Sequence, residues 1–169
     1  MEGGIHMRNK RILIAVMFSM YFLNAATLFA VESVPLPQDL DIVPPDKNTV
    51  PEKLAEFSGI WEGNWSHGYS KSIQFATIAV ENITKDNADI VYGWGLLKFA
   101  RKFVSTQDPG WKRYPGCPVE KASDGSYVIT VKRSGQDIIL KQTDKKDIIS
   151  VTLRTKASGD IISPFYRNK

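Results

Sequence analysis

Chemistry that needs a thiol or an imidazole has little to draw on in this chain, because its 169 residues hold one cysteine, Cys117, and two histidines, His6 and His67. One cysteine excludes an intrachain disulfide, so the core must hold the fold alone. In the turn-rich stretch Tyr114-Pro115-Gly116-Cys117-Pro118 the thiol reads as buried and inert, with an intermolecular bridge as the other reading. One histidine and one cysteine among dispersed carboxylates do not supply the clustered ligands of a metal site, and Asp144 and Asp147 flank two lysines that would oppose a calcium ion. A nucleophile, base and oxyanion arrangement is also missing. His67 lies in the polar turn Ser66-His67-Gly68, and no pair of acids stands out for glycoside hydrolysis. These absences predict a protein that is not an enzyme and has no catalytic residues, no metal and no cofactor.

Charge of one sign is also scarce. The formal net charge is +4, but Arg8, Lys10 and Arg11 belong to an N-terminal targeting pattern and the other charges are mixed, leaving too small an excess for nucleic acid. Those three residues precede an apolar run, 12–30, in which Asn24 is the one strongly polar residue and small residues gather from Ala25 onward. The pattern predicts an export signal over residues 1–30, cut after Ala30, and hence a periplasmic or secreted protein. The alternative is an uncleaved anchor, since the run approaches the roughly 20 residues that span a bilayer; contact with the membrane is then through the leader only. No cysteine stands near Ala30 to carry a lipid. Residues 31–56 contain Pro35, Pro37, Pro44, Pro45 and Pro51 without periodicity, which reads as an extended linker holding the following domain away from a membrane or partner. At its end, Pro51-Glu52-Lys53-Leu54-Ala55-Glu56 reads as one helical turn closing one end of the domain.

From residue 57 to 169 the chain reads as strands and turns. Gly59-Ile60-Trp61-Glu62-Gly63-Asn64-Trp65 is the first strand, with two large rings on one face and glycines that allow a bend or a close approach. In 73–83, Ile73 and Phe75 share one parity and Ile78 and Val80 the other, which predicts a bulge near Ala76 and Thr77. Thr84-Lys85-Asp86-Asn87 makes a turn, and Ala88, Ile90, Tyr92 and Trp94 alternate along a return strand. Leu96, Phe99, Ala100, Phe103 and Val104 fit helical spacing, so a short amphipathic helix competes there with a strand running into a loop. Gln107-Asp108-Pro109-Gly110 is turn chemistry, and Trp111 and Tyr114 read as loop residues. From Gly125 on, strands begin about every 11 to 12 residues, the rhythm of an antiparallel meander. The expected class is all-β, an antiparallel up-and-down barrel or barrel-like sandwich of roughly seven to eight strands.

Gly59-x-Trp61 on the first strand, an all-antiparallel chain and a late basic residue together resemble the calycin group, the lipocalins and their avidin-like and fatty-acid-binding relatives. The resemblance implies that Trp61 packs at the closed end of a barrel against an arginine from the last strands, Arg154 or Arg167, a structural pair that does not touch ligand. All four tryptophans fall between Trp61 and Trp111, together with Tyr69, Phe75, Tyr92 and, just beyond, Tyr114. Such rings can line a cavity or face a sugar or peptide. Trp61, Phe75 and Tyr92 read as core; Trp65, Tyr69, Trp94, Trp111 and Tyr114 are the candidate ligand contacts. The expected activity is therefore binding of an apolar or amphipathic small molecule, the alternative being an envelope module that docks a protein or glycan through aromatic loop residues.

Overall fold

The computed structural model describes residues 34–67, 72–99, 102–103, 108–155 and 159–168; the expected export signal, Tyr69 and the side chain of His67 lie outside them. Among the described residues one short helix, α1 (Glu52–Ala55), precedes nine strands: β1 (Gly59–His67), β2 (Ser72–Ile83), β3 (Asn87–Phe99), β4 (Lys102–Phe103), β5 (Gly110–Lys121), β6 (Tyr127–Arg133), β7 (Gln136–Gln142), β8 (Ile148–Thr155) and β9 (Gly159–Arg167). Eight of them close into an up-and-down antiparallel barrel. Each pairs with its successor, β9 returns to β1, and the two-residue β4 lies against the end of β3.

Paired residues of an antiparallel ladder share a face, so the register sorts inside from outside. Gly59, Trp61, Gly63 and Trp65 of β1 oppose Val80, Ile78, Ala76 and Gln74 of β2, and Ile78 and Val80 in turn oppose Tyr92 and Ile90 of β3. On β6 and β7 the inner pairs are Ile129 with Leu140 and Val131 with Ile138. These side chains, with Phe165 from β9, make the core. Trp61, Trp65, Phe165, Ile129, Val131, Ile138 and Leu140 have no solvent-accessible surface, so no water-sized void touches them and the barrel's middle is solid. Gly63 makes the filling possible, because a Cβ there would sit 2.5 Å from the Phe165 ring.

Three expectations are corrected. The register does shift between Gln74 and Ala76, but the additional residue is in β3, where Gly95 and Leu96 stand between the paired Trp94 and Leu97, while β2 runs unbroken against β1. The change of parity in β2 comes instead from burial of both faces: residues 76–80 are all buried, the inner ones in the core and the outer ones, Thr77 and Ala79, on the opposite face. Of the two readings of 96–104, the strand replaces the helix wherever the segment is described, since β3 continues to Phe99 and β4 holds Lys102 and Phe103; Ala100 and Val104 lie outside the described residues. The bulge puts two residues, not one, between the successive inner positions Trp94 and Leu97, a step of three that imitates helical spacing. Third, Trp111 and Tyr114 stand on strand β5, not in a loop.

The Pro-rich segment, over residues 34–50, is not a spacer but a strap on the barrel's outer face. Val34 and Pro35 fit against Gly93, where a Cβ would meet the Pro35 carbonyl oxygen at 2.8 Å. Farther along, Val43 N–H donates to the Glu81 carbonyl (2.7 Å), and the Arg113 guanidinium joins Asp39 of the strap (3.0 Å) to Glu81 of β2 (3.1 Å). The strap then enters α1, which forms the single turn the sequence predicts. Leu54 and Phe57 are fully buried and plug the barrel.

Candidate ligand-binding site

At the end closed by α1, Trp61 Nε1–H donates to the Phe57 carbonyl (2.8 Å), and the Arg167 guanidinium lies 4.2 Å from the Trp61 ring centroid. Arg167 also donates to the Ser58 carbonyl (2.7 Å) and to that of Glu56. Its cation therefore sits on an aromatic face while its donors bind the chain between α1 and β1. Of the two arginines expected to meet Trp61, Arg167 does so. Arg154 lies elsewhere, on the exposed outer face, paired with Asp160 (3.3 Å). Leu54, Phe57 and Trp61 fill the barrel's interior at this end.

Toward the other end the wall is incomplete. β5 pairs with β6 only through Val119–Lys121 against Tyr127–Ile129, although β5 follows β3 up to Gly110 and β6 follows β7 up to Arg133. Two strands that are hydrogen-bonded on their far sides thus part on their near sides. The cause is in β5. Val119 N–H is aimed at the Asp86 carbonyl beside β3 (2.9 Å), so the ring nitrogen of Pro118 faces the seam, where a proline has no bond to give. Just above, Pro115 and Gly116 form a bulge in β5 opposite Asp89, whose carboxylate accepts from Gly116 N–H (2.9 Å).

Tyr92 is the hub of the wall beside this seam. Its hydroxyl accepts from Trp65 Nε1–H (2.9 Å), its ring stacks with Trp94 at 5.9 Å, and the Arg133 guanidinium lies 5.0 Å above it. Burial pushes the Tyr92 hydroxyl above its ordinary pKa, with hydrogen bonds from Trp65 and Arg133 and the Arg133 charge acting against that rise, so the phenol is neutral at physiological pH. Lys112 opposes Tyr92 in the ladder, and its ammonium lies 5.4 Å from the Tyr114 ring. Trp94 and Tyr114 are half-buried against the core, and Trp94 Nε1–H is held by the Asp108 carbonyl (2.9 Å).

The five candidate contacts therefore separate. Trp94 and Tyr114 share the inner wall with Tyr92. Trp65 touches Tyr92 but is wholly buried, a core residue that orients the phenol. Trp111 is 41% exposed and opposes Gly93 on the outer face, so it and Tyr114 cannot contact one partner surface together. Tyr69 lies outside the described residues. Sequence reasoning passed over Arg133 and Lys112, and assigned Tyr92 to the core alone. The available signal was a basic residue in phase with the inner positions Ile129 and Val131, at the end of an otherwise apolar row.

Two other hollows contain polar residues already engaged with one another. A groove of about 490 Å³ runs beside the strap past Asp41, Glu81, Asp89 and Arg113, where Arg113 is taken by Asp39 and Glu81. One of about 620 Å³ lies at the plugged end, near Lys53, Asp124, Lys141 and Lys146, where Asp124 pairs with Lys141 (2.8 Å). No protein-family model matches the chain, and no curated protein does. Among solved structures the chain is similar to a de novo designed fluorescence-activating β-barrel, at 16% identity and a TM-score of 0.49, over 70% of this chain and 100% of that one.

Proposed function

We propose that the chain is an exported, non-enzymatic binding barrel whose partner is a small apolar or amphipathic molecule, seated where β5 and β6 part. One observation carries the reading: in a barrel filled to the last water-sized void around Trp65 and Phe165, inward-facing aromatic side chains reach partial exposure at Trp94 and Tyr114, beside an unpaired stretch of wall. Concave, mostly apolar surfaces with a few polar groups are what small ligands use. Export rests on the basic residues and apolar run ahead of the strap. Kinship with the calycin group is supported by the stacking of Arg167 on the Trp61 of Gly59-x-Trp61.

The test is native beside denaturing mass spectrometry on protein made with its own leader and recovered from the envelope fraction. The expected result is a mature chain lacking residues 1–30 and a native species heavier by a non-covalent ligand. If the native mass equals the denaturing mass, and incubation with an apolar fluorophore adds nothing, the binding reading fails. A second reading, docking of an envelope protein or glycan, has one observation in its favour: the exposed ring of Trp111 on the outer face, with Arg113 lying 5.6 Å from it. Trp111→Ala abolishing capture of such a partner, with melting unchanged, is the outcome that reading requires.

A further inference from the structure

Each arginine among the described residues except one has a carboxylate partner. Arg113 is held by Asp39 and Glu81, Arg154 by Asp160 and Arg167 by Asp147. Arg133 has none; its guanidinium lies over the Tyr92 ring, half-buried, at the upper end of β6. A second cation, Lys112, stands opposite Tyr92 on the facing edge of the same seam. The acids of this region do not answer them: Asp39 and Glu81 are taken by Arg113, and Asp89 accepts from Gly116 and Asn82.

We infer that the seam between β5 and β6 selects a flat aromatic anion, with Arg133 as the residue that reads its charge. The inference deepens the binding reading above and depends on it. A guanidinium resting on a ring is already oriented and weakly hydrated, and it presents a fork of donors suited to a carboxylate or sulfonate. Shape follows from the surroundings. Tyr92, Trp94 and Tyr114 supply planar faces, whereas Trp65, Val131, Ile138, Leu140 and Phe165 below them have no accessible surface, leaving no channel for a long alkyl chain. A compact ring system can stack in this site.

Anilinonaphthalene sulfonate and phenyl-naphthylamine offer the same rings with and without the charge, and both report binding by fluorescence. The full-length mature protein is titrated with each, together with Arg133→Gln and Arg133→Lys, after thermal melting shows all three to be folded. The sulfonate is expected to bind about tenfold or more tightly than the neutral amine, and Arg133→Gln to lose about tenfold for the sulfonate alone. Arg133→Lys, which keeps the charge but not the fork, recovers part of the loss. Equal affinity for the two probes, or a sulfonate affinity that Arg133→Gln leaves unchanged, overturns the anion assignment while the binding reading stands. Failure of both probes to bind overturns both. Dodecanoate displacing the sulfonate at equal concentration overturns the requirement for a flat ligand.

Discussion

The two ends of this barrel use the same kind of pair, an arginine over an aromatic ring, to opposite effect. At the plugged end Arg167 lies on Trp61 and donates to the carbonyls of Ser58 and Glu56, so cation, ring and backbone close on one another. At the parted end Arg133 lies on Tyr92 with no carboxylate among the described residues. A cation whose charge is met by a carboxylate, as Arg167 is by Asp147, holds a structure together; one that rests on Tyr92 and, among the described residues, hydrogen-bonds only to it keeps its charge for something else. The difference comes from neighbouring backbone. α1 and the chain entering β1 fold over Arg167, whereas β5 turns away from β6 and leaves Arg133 at an edge.

Truncating the filling should separate the ends most strongly. Phe165 is fully buried, its ring 5.2 Å from that of Trp65, and Phe165→Ala is expected to cost about 3–5 kcal/mol in chemical denaturation. Tyr114→Ala removes a ring that water already reaches, and a loss of about 1 kcal/mol is expected. Comparable losses would mean that the parted end is as tightly built as the other, and the comparison would collapse. For the arginines the expected order is the same with smaller values. Arg167→Gln leaves two carbonyls without a charged donor and should cost about 1.5–3 kcal/mol, while Arg133→Gln should stay within about 0.5 kcal/mol.

The strap offers a third contrast, between a close-packed surface and a loosely held one. Gly93→Ala places a methyl group 2.8 Å from the Pro35 carbonyl oxygen and from Val34 Cγ1, so strap or strand must shift. We expect a loss of about 1–3 kcal/mol and faster proteolytic cutting within residues 34–50. Wild-type rates of cutting would place the strap elsewhere in solution.

How much of this was legible follows the same division. The alternation along β6 to β9 and the Gly59-x-Trp61 opening gave the meander and the closed end, down to the choice between Arg154 and Arg167, because a strand buried on one face writes its period into the sequence. β5 reads in the sequence as a loop. Pro109, Pro115 and Pro118, with Gly110 and Gly116, are the residues of turns, and only the register shows that β5 tolerates Pro118 because its ring nitrogen faces a seam with no ladder to complete. The features that hid the strand are therefore those that part it from β6 and make the candidate site. Arg133 was equally hidden. Its partner in space, Tyr92, is 41 positions away, and no local pattern announces a cation on a distant ring. The strap is hidden for a related reason: its prolines predict an extended backbone, but the surface that receives it includes Gly93 and Gly95 of β3, residues whose role is invisible until the barrel is formed.

The smallest effect concerns acid. Hydrogen bonds from Arg113, Lys141 and Lys132 hold the carboxyls of Asp39, Asp124 and Asp137 below the usual range, on the strap, the plugged end and the parted end respectively. A carboxylate with a depressed folded-state pKa stabilises above its unfolded value of about 3.9, and that contribution is lost as pH falls through the folded value. The melting temperature should thus be level from about pH 7 to 5 and fall below about pH 4. Asp39 and Asp124 are well exposed to solvent and Asp137 partly so, so each share is modest and screened by salt. Asp39→Asn isolates the strap's share. The variant is expected to melt slightly below wild type at neutral pH, where the aspartate is charged against Arg113, and to converge with it in acid, where the protonated aspartic acid and the asparagine are both neutral. A gap of constant size at both pH values would show that Asp39 acts through shape and not charge.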